Sequence, residues 1–344
     1  MLPWSVEMVG QLHELEIDSP ALQGNPLGDP DRRPLTVYTP PGYADEPDRR
    51  YPVAYVIMGF TGHAAMWRNR TPFRQPFPEL VDVAMAHGEM APLVVAYVDA
   101  WTSLGGSQYV DSPGTGDYHT YLVRDVVGAV DSRFRTIADR DHRAITGKSS
   151  GGYGAMVTAL LRPDVFGLLA THAGDALFDV CYAPEFPHLA RLLRDRYDGS
   201  YDAFWASFRS RVAMTQEGDG ELVEMYAYAA AYSAEPDGTV ALPFDTATGA
   251  LVDEVWARWL AHDPVRMAAG PCTEAASSLR AVWIDAGSHD EYYLDLGATA
   301  FRDAVLAAGL APDRVHFELF DAGHGGIEYR YPLALGWLAE RMVG

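Results

Sequence analysis

Two cysteines, Cys181 and Cys272, are all that the 344 residues contain. A chain this poor in cysteine is not held by a disulfide framework, and two thiols in so large a protein are ordinarily buried and unpaired. Long apolar runs are also missing. No segment offers the roughly 18 uninterrupted apolar residues of a membrane-spanning helix. Positive charge is scarce: 26 lysines and arginines stand against 47 aspartates and glutamates, a formal net charge of −21. Such a surface repels polyanions, so nucleic acid and anionic membranes are not expected partners. Met1 to Met8 has neither the basic stretch nor the apolar core of a signal peptide, and a cytoplasmic location is the expectation. No internal repeat or low-complexity tract interrupts the chain. No His/Cys/Asp/Glu group has metal-ligand spacing, so neither a metal nor another cofactor is expected. One more absence is local. Thr146-Gly147-Lys148-Ser149 has the ending of a phosphate-binding loop, G-x-x-x-x-G-K-[ST], but the position for its first glycine holds His142. A nucleotide site is thereby set aside.

What is present is enough apolar residue, 48% of the chain, to bury a large core. Short strand-like runs recur at Leu12 to Ile17, Leu35 to Thr39, Val53 to Met58, Leu93 to Val98, Arg143 to Thr146, Leu168 to Thr171, Ala281 to Asp285 and Val315 to Leu319. Several are apolar throughout, as strands buried on both faces are. The first two are nearer to alternating and suit an antiparallel pair at a sheet edge. Helical patterns lie between the later strands, at Tyr121 to Phe134, Glu291 to Ala308 and Leu333 to Met342. Strand and helix in alternation predict an α/β fold, a mostly parallel eight-stranded sheet flanked by helices. With the turn at Ser149 after the fifth strand, this is the α/β-hydrolase order. Residues 178–267 break the rhythm with helix-like, aromatic-rich sequence after the sixth strand. They predict a helical cap inserted into a core made of residues 1–177 and 268–344. Its aromatics either pack the cap or line an acyl or alcohol pocket.

The chemistry begins at Gly147-Lys148-Ser149-Ser150-Gly151, which fits G-x-S-x-G, a nucleophile on a tight strand-to-helix turn. Only Ser149 has glycine two residues to either side. A serine hydroxyl needs a neighbouring base, and in this fold the acid and then the histidine follow in the chain. His324, in the glycine-lined loop after the last strand, is placed for the base; His316 lies within the strand and His289 too early. Asp285 at the end of the seventh strand and Asp290 and Glu291 after it are the candidates, and Asp290, in the loop proper, is preferred as the acid; Glu291 is read as the start of the next helix, where its charge suits the dipole. The two N–H donors of an oxyanion hole are assigned to Ser150 and, in the loop after the third strand, Phe60. Gly59, His63, Trp67, Trp101 and Lys148 are candidate substrate contacts, each with local packing or a salt bridge as the alternative.

Beyond these single residues, Tyr38 to Tyr43, Pro52 to Gly62, Gly147 to Gly154, Asp285 to Tyr292 and Gly323 to Tyr331 together resemble the esterase D-like branch of the α/β-hydrolases. That branch includes S-formylglutathione hydrolases, feruloyl esterases, trilactone siderophore esterases and mycolyltransferase antigens. The resemblance runs from about Pro34 to the C-terminus, and implies Ser149 as nucleophile, Asp290 as acid and His324 as base. It implies a serine carboxylic ester hydrolase acting on a small-molecule ester through an acyl-enzyme. Two alternatives stay open: acyl transfer to an alcohol or amine, and a non-catalytic binding protein on the same fold. The oligomeric state is not legible, and a homodimer is compatible with the sequence.

Overall fold

The computed structural model of the chain describes residues 7–71 and 73–342; residues 1–6, most of the segment read above for a signal peptide, lie outside them. Eight strands form one sheet: β1 (Gln11–Asp18), β2 (Arg32–Thr39), β3 (Val53–Ile57), β4 (Val94–Val98), β5 (Arg143–Lys148), β6 (Leu168–His172), β7 (Ala281–Gly287) and β8 (Val315–Phe320). Their order is β1-β2-β4-β3-β5-β6-β7-β8. β2 pairs antiparallel with both β1 and β4, and every other pairing is parallel. All eight strands read from the sequence are present, in the α/β-hydrolase order. A two-residue ladder, Asp111–Ser112 with Gly116–Asp117, was not foreseen in its turn-rich segment.

The apolar strands are explained by burial on two faces. In β3, Val53, Tyr55 and Ile57 join a core with Ile145, Leu169 and Tyr153, while Ala54 and Val56 face a second core with Val81, Leu335 and Leu338. Each such aliphatic side chain contributes about 1.5–3 kcal/mol on leaving water. Helices α1 (Phe77–Ala86), α2 (Val127–Arg133) and α3 (Ser150–Leu161) flank the sheet, and α2 is preceded by a π-turn at Tyr121–Val126. The sequence had suggested one regular helix there; the wider turn coincides with three consecutive buried side chains, Tyr121, Leu122 and Val123.

Between β6 and β7 the main elements are α4 (Phe186–Tyr197), α5 (Tyr201–Arg209), α6 (Asp219–Ser233), α7 (Asp253–Leu260) and α8 (Pro264–Ala269). Many of the aromatics there pack on each other: Phe186 meets Phe244, Trp256 and Trp259, and Tyr201 meets Phe204 and Tyr226. Tyr232 of α6 reaches across to Tyr153 of α3, ring centroids 5.6 Å apart, which ties this region to the sheet. Then follow α9 (Leu294–Ala307) and α10 (Arg330–Met342). α9 begins later than expected because Tyr293, at φ 60°, stands in the left-handed region and stops the helix from reaching back to Glu291. Cys181 and Cys272 are both free thiols. No helix among the described residues is long and apolar enough to cross a membrane.

Candidate active site

Ser149 joins the end of β5 to the start of α3 with φ 58° and ψ −129°. A non-glycine residue in that conformation costs on the order of 1–3 kcal/mol, and its surroundings must enforce it. They do so through the Ser149 N–H, which donates to the carbonyls of His172 (3.0 Å) and Ala173 (3.1 Å), and through close packing of the flanking glycines. A Cβ on Gly147 would lie 2.2 Å from the Gly151 carbonyl oxygen, and one on Gly151 2.8 Å from the carbonyl of Met58. The two glycines of the motif are thus demanded by backbone against backbone, where nothing can give.

Three side chains from three loops then form a line. His324 Nε2 is 3.1 Å from Ser149 Oγ, and His324 Nδ1 is 2.8 Å from Asp290 Oδ2. The other Asp290 oxygen accepts the Tyr292 N–H at 2.9 Å, which fixes the carboxylate plane. The Asp290 side chain is fully buried, whereas that of His324 keeps 16% of its surface exposed. The other two acids read as candidates go elsewhere. Asp285 is buried beneath the site, against His172 Nδ1 (2.7 Å), Trp283 Nε1 (2.7 Å) and Arg330 Nε (2.8 Å). Those partners hold its carboxyl below the usual range although burial alone would raise it. Glu291 does not open α9; its Oε2 accepts the His324 backbone N–H at 2.7 Å.

The loop after β3 crosses Ser149 closely, since a Cβ on Gly59 would lie 3.0 Å from the Lys148 carbonyl oxygen and 3.4 Å from Ser149 Cβ. The backbone N–H groups of Phe60 and Ser150 donate to no acceptor among the described residues. The base of this loop is pinned by Tyr109, whose hydroxyl accepts the Met58 N–H and donates to the Met58 carbonyl, both at 2.7 Å.

Ser149 and His324 open into a cavity of about 690 Å³. Gly59, Phe60, Trp67 and Lys148 line it. Trp67 is otherwise buried against Phe77, Tyr97 and Tyr331. Lys148 Nζ lies 3.9 Å from Glu328 Oε1, and burial lowers its pKa. His63 and Trp101, both read as substrate contacts, are placed outside the lining. Exposed His63 caps a short helix, its Nδ1 accepting the Ala65 N–H at 3.3 Å, and the Trp101 carbonyl accepts from Arg33.

Asp175 and Glu224, which the sequence reading passed over, complete the cavity together with Tyr228, one of the aromatics of residues 178–267. Asp175, in the loop after β6, accepts from Tyr182 (2.8 Å), Ser150 Oγ (3.3 Å) and Gln108 (3.4 Å). On α6, the Tyr228 hydroxyl donates to Glu224 Oε1 at 2.6 Å and lies 3.2 Å from Ser150 Oγ. Burial pushes Glu224 up to about 7, only partly opposed by that hydrogen bond, and burial also raises Asp175. A signal existed for both: Asp175 stands where strand ends meet ligands, and Glu224 and Tyr228 are spaced i,i+4 on one helix face.

Comparison with known proteins bears on the family and the fold. The family model Esterase, described as "Putative esterase", matches residues 30–325. An endo-1,4-β-xylanase/feruloyl esterase of Xylanibacter ruminicola is 26% identical over 152 residues, 43% of this chain and 20% of that protein. The chain therefore spans about a fifth of the length of that relative. Among solved structures, a ferulic acid esterase superposes with a TM-score of 0.62 at 18% identity, covering 98% of this chain and 99% of its own. A fluorophosphonate-binding serine hydrolase of Staphylococcus aureus gives 0.59 at 16% identity over 96% of this chain and 98% of its own. At these identities the superpositions establish the fold.

Proposed function

The chain belongs to the esterase family, and we propose on that premise that it is a serine carboxylic ester hydrolase with Ser149, His324 and Asp290 as its catalytic residues. What carries the reading is the unbroken line from Asp290 through His324 to Ser149, 2.8 Å and 3.1 Å, ending on a strained serine at a helix N-terminus. His324 Nε2 takes the Ser149 proton as Oγ attacks the ester carbonyl carbon. Its Nδ1–H stays on Asp290, which holds the tautomer and stabilises the imidazolium. The N–H groups of Phe60 and Ser150 receive the oxygen of the tetrahedral adduct, and the α3 dipole favours the same charge. As the adduct collapses, the C–O bond to the alcohol breaks and His324 returns the proton to the departing oxygen. Water then repeats the sequence on the acyl-enzyme, giving up a proton to His324 and releasing the acid. Residues 178–267 act as a cap whose helix α6 walls one side of the cavity.

The test is Ser149→Ala. Hydrolysis of p-nitrophenyl butyrate falls to background in a variant with unchanged circular dichroism, and a fluorophosphonate labels Ser149 in the wild-type protein. Retained hydrolysis in the variant, or labelling at another residue, overturns the assignment.

A further inference from the structure

The ester hydrolase reading leaves the substrate class open, and the cavity carries a feature that narrows it. The Asp175 side chain belongs to a residue only 3% exposed, yet it lines the cavity. All three of its hydrogen bonds, from Tyr182, Ser150 and Gln108, end on Oδ2. Oδ1 accepts nothing among the described residues. A further hydroxyl of this network, that of Tyr228, gives its proton to Glu224. Oδ1 is not among the fully buried orphaned oxygens, and since Asp175 lines the cavity this oxygen is open to a donor that a substrate brings.

The charge around it has one sign. Glu185, Glu221, Glu291 and Glu328 also line the cavity, and among the described lining residues Lys148, the only lysine of the chain, stands without an arginine beside it. Lys148 is drawn toward Glu328, 3.9 Å away, and does not answer Asp175. The Tyr182 and Tyr228 rings stand 5.0 Å apart in the same wall, a surface that favours a cation over an anion. An anionic substrate meets repulsion, and a neutral one leaves the charge unanswered.

We propose that the substrate is an ester bearing a protonated amino group, which donates to Asp175 Oδ1 while the carbonyl lies at Ser149. This rests on the esterase reading. Because Asp175 is bonded to Ser150, the residue after the nucleophile, the amino group sits only a few bonds from the scissile carbonyl.

The experiment compares kcat/KM for isosteric esters. On the acyl side these are methyl δ-aminovalerate, methyl hexanoate, methyl δ-hydroxyvalerate and monomethyl adipate. On the alcohol side they are dimethylaminoethyl butyrate and isoamyl butyrate. A charge-assisted hydrogen bond predicts that the amino ester exceeds its isostere by about tenfold or more in at least one series. The adipate is slowest, and the amino-to-isostere ratio falls toward one in Asp175→Asn. A second readout needs no variant: butylamine inhibits methyl hexanoate hydrolysis and butanol at the same concentration does not. Equal rates for amino ester and isostere in both series overturn the proposal, as do a hydroxy ester matching the amino ester, an unchanged ratio in Asp175→Asn, or equal inhibition by butanol. Hydrolysis of neutral esters without any preference removes this inference alone. No hydrolysis of any ester, with no labelling of Ser149, removes the esterase reading beneath it.

Discussion

Glu291 Oε2 holds the backbone N–H of His324 at 2.7 Å, while the adjacent Asp290 holds the imidazole of the same residue. Two consecutive acids of one loop thus grip a second loop 33 residues later, one by its backbone and one by its ring. Glu291 is a positioning residue in this arrangement. Glu291→Ala is expected to lower kcat of p-nitrophenyl butyrate hydrolysis by roughly tenfold, because small displacements of a catalytic group are expensive. Glu291→Gln, which keeps an acceptor, restores most of the rate. Steady-state kinetics of the two variants separate positioning from a need for charge.

The nucleophile turn is the least forgiving part of the backbone. Gly147→Ala drives a methyl group to 2.2 Å from the Gly151 carbonyl oxygen. Overpacking of this kind costs about 1–3 kcal/mol or more. The variant is expected to unfold at lower urea concentration with an unchanged slope, and to lose activity with the geometry of Ser149. A midpoint equal to wild type contradicts the steric account.

Tyr109→Phe removes one hydroxyl that serves both polar groups of Met58. A buried N–H and C=O are left without partners, at a cost of about 1–3 kcal/mol. Because Met58 leads directly into Gly59 and Phe60, kcat is expected to fall more than KM rises. Thermal melting and kinetics on one preparation check both halves.

Glu224 makes stability depend on pH. Its carboxyl titrates near 7 in the folded protein, raised by burial from an ordinary value of 4.5. The folded state therefore binds the proton more tightly than the unfolded one. The sign follows: stability from this group is greatest below 4.5 and declines as pH rises through 7. The loss is at most about 3 kcal/mol. Glu224→Gln is expected to remove that decline, so urea unfolding at pH 5 and pH 8 gives a smaller difference in the variant than in wild type.

Much of this was legible from residue order alone. The inner strands announced themselves because they are buried on both faces, as Val53–Ile57 is, whereas the edge strands Gln11–Asp18 and Val315–Phe320 are partly exposed and carry a weaker pattern. The glycines around Ser149 marked the turn, since only residues without a Cβ fit there. The order of Ser149, Asp290 and His324 along the chain brought the right loops to one end of the sheet.

The sequence by itself determined the sheet, its order and the loops that meet at Ser149, because these follow from local patterns of apolar residues and glycines. Only the tertiary structure decided the fate of each acid. Asp285, Asp290 and Glu291 lie within one short segment, yet Asp285, still inside β7, meets His172 and Arg330, while Asp290 meets the His324 ring and Glu291 the His324 backbone. It also brought Asp175, from the loop after β6, and Glu224 and Tyr228, from α6, beside Ser150. The partner of a buried polar group is set by packing between distant segments, which no local pattern records.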